Sequence, residues 1–165
     1  MSREEPEPGN PLERGAQARE GAPAFKSHSS FRLEMAHGLA AQLDPVRFGV
    51  RAVYLLGSTK NATAGPASDI DLLVHFQGSS SQLEDLKLWL EGWSLALDEV
   101  NYRMTGYRTG GLLDLHVVTD EDIARKTSFA VKIGAASDPA RLLPMKSTPQ
   151  SGPEDGSRPE AGTLR

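Results

Sequence analysis

Two aspartates open an apolar segment, where carboxylates are costly to place. Asp69 and Asp71 stand two residues apart in a run that continues Leu-Leu-Val-His-Phe. Because side chains alternate across a strand, both carboxylates point to the same face. Like charges so close repel, and one is pushed toward protonation unless a cation lies between them. Two divalent cations held there, about 3.5–4 Å apart, can clamp both oxygens of an in-line phosphoryl displacement.

A second apolar segment repeats this anomaly. The run 113–117 reads Leu-Asp-Leu-His-Val, so Asp114 and His116 share one face of a strand. An acid embedded there needs a charged partner, and a place beside Asp69 and Asp71 with a shared metal supplies one. An ion pair with an arginine is the alternative for Asp114. For His116, an ordinary sheet-face histidine is favoured over a bond to a nucleotide or to Asp114.

A glycine-serine pair follows the strand that precedes these acids. Gly57 lets the chain turn sharply and approach a ligand closely. The Ser58 hydroxyl and nearby backbone N–H groups are suited to phosphate oxygens, the more so where a short helix begins. Lys60 adds positive charge. Arg108, with Arg103 in the same Gly/Tyr-rich loop, is a further candidate for phosphate, with a solvated loop charge as the alternative.

Alternating helices and strands must position these residues. Ser30 is expected to cap the first helix, and the spacing of apolar residues marks a second helix over 82–101. Thr119, with Asp122 three residues later, predicts a capping box. Strands are expected at 51–56, 69–76 and 112–118. The first helix is expected to bury Phe31, Met35, Leu39 and Leu43. The second helix is expected to bury Leu83, Leu86, Leu90, Trp93, Leu97 and Val100. The alternation predicts an α/β fold, a small mixed β-sheet flanked by helices.

The order of these features resembles a known signature. An apolar strand, Gly57-Ser58, ten intervening residues, Asp69-Ile-Asp71-Leu and a later strand with Asp114 are similar to the polymerase β-like nucleotidyltransferase superfamily, in its small, minimal form. The resemblance covers roughly residues 30–133. It implies that Gly57 and Ser58 bind the triphosphate and that Asp69 and Asp71 bind both metals. It further implies that Asp114 binds the catalytic metal and helps to activate the acceptor hydroxyl.

The chain also departs from the superfamily pattern. Small members usually carry a basic residue directly after Gly-Ser, whereas here Thr59 stands there and Lys60 follows. Larger members add a helical domain for the acceptor, which this length does not accommodate. The acceptor site is therefore expected to be local, or to come from a partner or a second subunit. The stretch is also similar to nucleotidyltransferase modules attached to phosphoenolpyruvate-synthase-like enzymes.

The implied activity is a Mg2+-dependent transfer of a nucleoside monophosphate from an NTP, with ATP as the expected substrate, to an acceptor hydroxyl with release of pyrophosphate. Two Mg2+ ions are expected as cofactors, held by Asp69, Asp71 and Asp114. The alternative is a non-catalytic nucleotide-binding or antitoxin-like regulatory module that acts on a helical partner protein. The acceptor is unknown, and a partner protein is one candidate.

Composition limits the other classes of function. The chain has 165 residues, no cysteine and a net charge of -4, which excludes thiol chemistry and argues against stable binding to long nucleic acid. No membrane span and no signal peptide are expected, and the expected location is the cytoplasm. Segments 1–28 and 144–165 are rich in Pro, Gly and charge, so they are expected to be disordered tails around a nucleotidyltransferase domain at 29–143.

Overall fold

A computed structural model describes residues 25–146 of the chain. The predicted α/β fold is confirmed, with five helices, one 3-10 turn and a mixed sheet of four strands in this part of the chain. In chain order the elements are α1 (His28–Gln42), α2 (Pro45–Phe48), β1 (Val50–Leu55), α3 (Gly57–Lys60), β2 (Ile70–Phe76), α4 (Ser80–Thr105), β3 (Leu113–Val118), α5 (Asp120–Arg125), a 3-10 turn (Ala130–Lys132) and β4 (Arg141–Leu143).

The sheet order is β3-β2-β1-β4, so β2 lies inside the sheet. β1 is antiparallel to both β2 and β4, whereas β2 and β3 are parallel. Parallel strands need a long crossover, and α4 supplies it. As a result the start of β2, the start of β3 and the end of β1 all lie at one edge of the sheet.

The two faces of β2 are buried differently. Ile70, Leu72, Val74 and Phe76 face the main core, which α1, α2 and α4 complete. Leu73 points the other way into a smaller cluster with Leu56, Val118 and Ala130, beside Ile123 of α5. Asp71 of β2 lies on this second face, where fewer elements cover the sheet.

The helices begin at capping residues, but the N-cap of α1 differs from the expected one. The N-cap of α1 is Ser27, not Ser30; the two serines form a capping box, so the helix begins three residues early. Thr119 and Asp122 form the predicted capping box of α5. The expected burial of Val100 on α4 is wrong: Val100 is 41% exposed, and the next residue, Asn101, is buried in its place.

Most of the two expected tails lies outside the described residues. Of the part that is described, Phe25 meets Phe31 edge-on at 5.0 Å between ring centroids, and Met145 also packs against the core. Packed residues thus extend a few positions beyond 29–143 at both ends. Among the described helices, none has both the length and the apolar character that crossing a membrane requires.

Candidate active site

Strand register brings the acids together. Asp71 and Asp114 are direct partners across the parallel pair β2 and β3. The register is set where the strands begin, because the Ile70 N–H donates to the Leu112 carbonyl at 2.7 Å. Asp69 stands one residue before β2 and is exposed. All three carboxylates therefore lie at the same edge of the sheet.

The glycine of the Gly-Ser pair lies directly against one of these acids. Gly57 has a φ of +63°, and a Cβ placed on it would lie 2.1 Å from Oδ2 of Asp71. Any side chain would therefore collide with the carboxylate, and the positive φ adds strain for every residue except glycine. The Leu56 N–H donates to the Asp71 carbonyl at 2.9 Å, which fixes the turn against β2. Only glycine suits both demands of this position.

The electrostatics of the acids show that their charges are in conflict. Burial raises the pKa of the Asp71 carboxyl, and Asp114 and Asp69 raise it further. Partial desolvation and then Asp114 raise the pKa of Asp69, while Arg32 opposes the rise. Both shifts favour a proton or a cation at the site. Carboxylate oxygens are the ligands that Mg2+ prefers, so the residues present fit this ion.

His116 joins the acids from the same face of β3. Its Nε2 atom lies 3.3 Å from Oδ2 of Asp114. One donor atom from each of Asp71, Asp114 and His116 can be chosen so that the three lie within 4.8 Å of one another. The His116 ring is stacked on Phe129, with centroids 3.8 Å apart and planes at 16°. The sequence favoured an ordinary sheet-face role for His116, and the alternation that paired it with Asp114 was the signal for this placement.

Ser58 and Lys60, both expected at the phosphates, differ in their surroundings. Ser58 is half-buried in α3, and its carbonyl accepts from the Thr63 N–H at 2.9 Å. Within residues 25–146 its hydroxyl makes no hydrogen bond to protein. Lys60 bonds through Nζ to the Asp138 carboxylate and to the Pro139 carbonyl at 3.0 Å. With Lys132 it lowers the pKa of Asp138 to about 2, so the charge of Lys60 is already paired.

Arg108 lies in the loop before β3 but contacts α4. Its guanidinium donates to Glu99 at 2.8 Å and stacks 4.2 Å above the ring of Tyr102. Arg103, expected in the same loop, lies instead in the last turn of α4, because the helix continues to Thr105, and it meets the same carboxylate at 2.7 Å. These contacts hold both arginine side chains against α4. Their contact with a nucleotide stays a prediction.

A buried polar pair behind the acids was missed by the sequence analysis. Arg32 of α1 and Asn101 of α4 are both 0% exposed, and they meet at 3.0 Å. Arg32 donates to the carbonyls of Ser68 at 2.8 Å and Pro66 at 3.1 Å. These bonds hold the segment that leads into Asp69. The available signal in the sequence was that Arg32 and Asn101 each fall next to the apolar face of a predicted helix.

The same end of α4 holds the loop that leads into Asp114. Asn101 donates to the carbonyls of Pro66 and Tyr107, both at 3.0 Å. Asp98, also buried, accepts from the Thr109 N–H at 2.8 Å and the Gly110 N–H at 3.2 Å. These hydrogen bonds lower the pKa of Asp98. One end of one helix thus fixes both segments that carry the acids.

Comparison with known proteins agrees with this geometry. Residues 41–126, just over half of the chain, match the family model described as nucleotidyltransferase domain. The match begins at the end of α1 and ends after α5, so it contains the Gly-Ser turn and all three acids. No significant match was found to a curated protein or to a solved structure. The chain belongs to the nucleotidyltransferase domain family, which supports nucleotidyl transfer as its general activity.

Proposed function

We propose that the protein transfers a nucleoside monophosphate from an NTP to an acceptor hydroxyl and releases pyrophosphate. The observation that carries the proposal is the in-register pairing of Asp71 with Asp114, with Gly57 against the Asp71 carboxylate. Two carboxylates and a glycine turn at the same edge of the sheet suit the binding of a triphosphate together with its cations. ATP is the first triphosphate to test.

Each residue has a role in the proposed reaction. Asp69 and Asp71 would hold two Mg2+ ions, and Asp114 would help to hold the ion that serves the acceptor. When bound, the cations would supply charge neutralisation for in-line displacement. Gly57 and Ser58 receive the β- and γ-phosphates through the backbone and the serine hydroxyl, and Lys60 and Arg108 add charge if they leave their present partners.

The bond changes balance without a further reactant. The acceptor oxygen attacks the α-phosphorus, the bond from that phosphorus to the α,β-bridging oxygen breaks, and pyrophosphate leaves. The acceptor proton passes to Asp114 or to solvent. The residues contribute mainly by positioning and by stabilising charge, as in phosphoryl transfer generally. The acceptor site is local or is completed by a partner protein.

Substitution of the paired acids tests the proposal. Wild type, Asp71→Asn and Asp114→Asn are incubated with each α-labelled NTP, Mg2+ and a cell extract, and labelled product and pyrophosphate are measured. We expect transfer by wild type and a loss of at least about 100-fold in both variants, because charge stabilisation of this kind is worth about 10²–10³ in rate. Asp85→Asn, an exposed acid on α4, is the matched control and retains activity.

Two results would contradict the proposal. Activity that survives both substitutions places the chemistry elsewhere. Wild-type protein that binds an NTP by calorimetry, yet releases no pyrophosphate with any extract, favours the non-catalytic regulatory module over the enzyme.

A further inference from the structure

The donor atoms beside Asp71 are not all oxygens. Asp71 and Asp114 are partners across the strands, and His116 lies two residues along β3 on the same face. The Nε2 atom of His116 lies 3.3 Å from Oδ2 of Asp114. An imidazole nitrogen thus points into the space where the cation is proposed to bind.

The separation of these atoms fits ligands of one ion. Two donors about 2.1 Å from a common ion lie about 3.0 Å apart at octahedral angles and about 3.4 Å apart at tetrahedral angles. The 3.3 Å between Nε2 and Oδ2 falls in this range. The three donor atoms, all within 4.8 Å of one another, leave room for an ion between them.

The imidazole is also held in place. His116 is stacked on Phe129 at 3.8 Å, and its side chain is 20% exposed. Stacking restricts rotation of the ring, so little ordering is left for a bound ion to impose. His75, the next histidine on this sheet face, differs because it pairs with Asp120 at 2.7 Å and does not belong to the cluster.

Ligand chemistry then predicts which ion this position prefers. Mg2+ favours oxygen ligands and keeps several waters, whereas imidazole nitrogen suits first-row transition ions such as Fe2+, Ni2+ and Zn2+. We propose that His116 is a third protein ligand of the ion held by Asp71 and Asp114, and that this ligand set favours a divalent first-row transition ion over Mg2+. This inference rests on the metal-dependent transfer proposed above. The second ion, between Asp69 and Asp71, has oxygen ligands and stays Mg2+.

Direct metal binding to the full chain tests the assignment without relying on activity. Mn2+ and Mg2+ affinities are measured by calorimetry, and bound Mn2+ is examined by electron spin echo spectroscopy for coupling to a ligated 14N nucleus. The variants are His116→Gln, which keeps a polar side chain beside Asp114, and His75→Gln as the matched control.

We expect a 14N signal in wild type and tighter binding of Mn2+ than of Mg2+. Loss of outer-shell partners alone costs about 10–100-fold in metal affinity, so His116→Gln is expected to weaken Mn2+ binding at least about tenfold and to abolish the signal. Mg2+ affinity changes much less, and His75→Gln changes neither.

Absence of 14N coupling in wild type would overturn the assignment even if His116→Gln fails to fold. An equal loss of Mn2+ affinity in His75→Gln would overturn it as well. If wild type binds both ions but shows no nitrogen ligand, the His116 inference fails alone. If wild type binds neither ion, with or without an NTP, the proposed metal-dependent transfer fails with it.

Discussion

Gly57→Ala is the substitution for which the structure makes the sharpest prediction. The added methyl group would lie 2.1 Å from Oδ2 and 2.9 Å from Cγ of Asp71. Neither distance is compatible with van der Waals contact, so the carboxylate must move by about 1 Å or more to restore an ordinary contact of about 3.5 Å. The collision is with a proposed metal ligand rather than with the core.

The expected magnitudes separate stability from activity. Left-handed backbone costs roughly 1–2 kcal/mol for a residue with a Cβ, which lowers the midpoint of thermal unfolding by several degrees in a domain of this size, at about 4 °C per kcal/mol. A shift of about 1 Å in a positioned group costs about 100-fold in rate. Gly57→Ala is therefore expected to stay folded and to lose about 100-fold in nucleotide transfer.

Gly106→Ala is the control for backbone strain alone. Gly106 ends α4 with a φ of +77°, and nothing lies within 4 Å of a Cβ placed there. Thermal unfolding, Mn2+ affinity and pyrophosphate release are measured for both variants. We expect similar losses of stability and a loss of metal affinity and activity in Gly57→Ala alone. If Gly57→Ala binds Mn2+ as tightly as wild type does, the close approach of the turn to Asp71 is refuted.

Two further predictions concern the support of the site and its charge. Arg32→Met leaves the Ser68 carbonyl and the buried Asn101 side-chain oxygen without their donor, while the Pro66 carbonyl keeps its bond from Asn101. Urea unfolding should therefore show a loss of about 2 kcal/mol or more, at about 1–3 kcal/mol for each unsatisfied group, and a loss under about 1 kcal/mol would contradict the buried network. The pKa values of Asp69 and Asp71 are raised in the metal-free fold, so folding favours their neutral carboxyls. The stability that these neutral carboxyls contribute is therefore present at low pH. It is lost as pH rises from the unfolded pKa, about 3.9, through the raised folded pKa values. In EDTA at pH 7, Asp71→Asn should therefore unfold at a higher temperature than wild type, and the difference should be smaller near pH 4. Mg2+ should stabilise wild type but not the variant. Thermal scans at both pH values check this, and an unchanged unfolding midpoint of the variant at pH 7 would count against it.

Local patterns predicted the acids and the turn because both depend on residues near in sequence. Alternation along a strand assigns Asp71 and Asp114 each to a face, and the spacing from Gly57 to Asp69 made the family recognisable. The register that joins Asp71 to Asp114 is a contact across 43 positions of the chain. Periodicity alone does not predict that contact; the need of Asp114 for a charged partner suggested it, and the resemblance to a family supported it.

The buried polar residues were missed because tertiary contacts decide their burial. Helical spacing on α4 allows Val100 or Asn101 to follow Leu97, and hydrophobicity alone favours Val100. The structure buries Asn101 because its amide satisfies carbonyls of two loops and its oxygen accepts from Arg32. A polar side chain that completes such a network is stable inside, and no local pattern predicts the network.

Lys60 and Arg108 were assigned a function from the sequence, but each has a different partner in the structure. Sequence reasoning assigned both to phosphate because each is basic and close to the acids. The structure pairs Lys60 with Asp138 and Arg108 with Glu99. The Arg108–Glu99 pair is exposed, so a triphosphate competes with it at little cost. The Lys60 side chain is only 10% exposed and also donates to the Pro139 carbonyl, so a triphosphate displaces its partners less easily. The predicted role of both residues at the nucleotide therefore depends on exchange of partners.

The buried network also explains why the proposed cation would stabilise the site. Repelling carboxylates on flexible loops would move apart, but here the segment before Asp69 is tied to Arg32 and the loop before Asp114 is tied to Asn101 and Asp98. The ladder bond from Ile70 to Leu112 fixes their spacing. Because separation is prevented, the repulsion is relieved by a proton or by a positive ion. We therefore expect the proposed cation to stabilise the acids at neutral pH, because the frame that holds them together prevents them from moving apart.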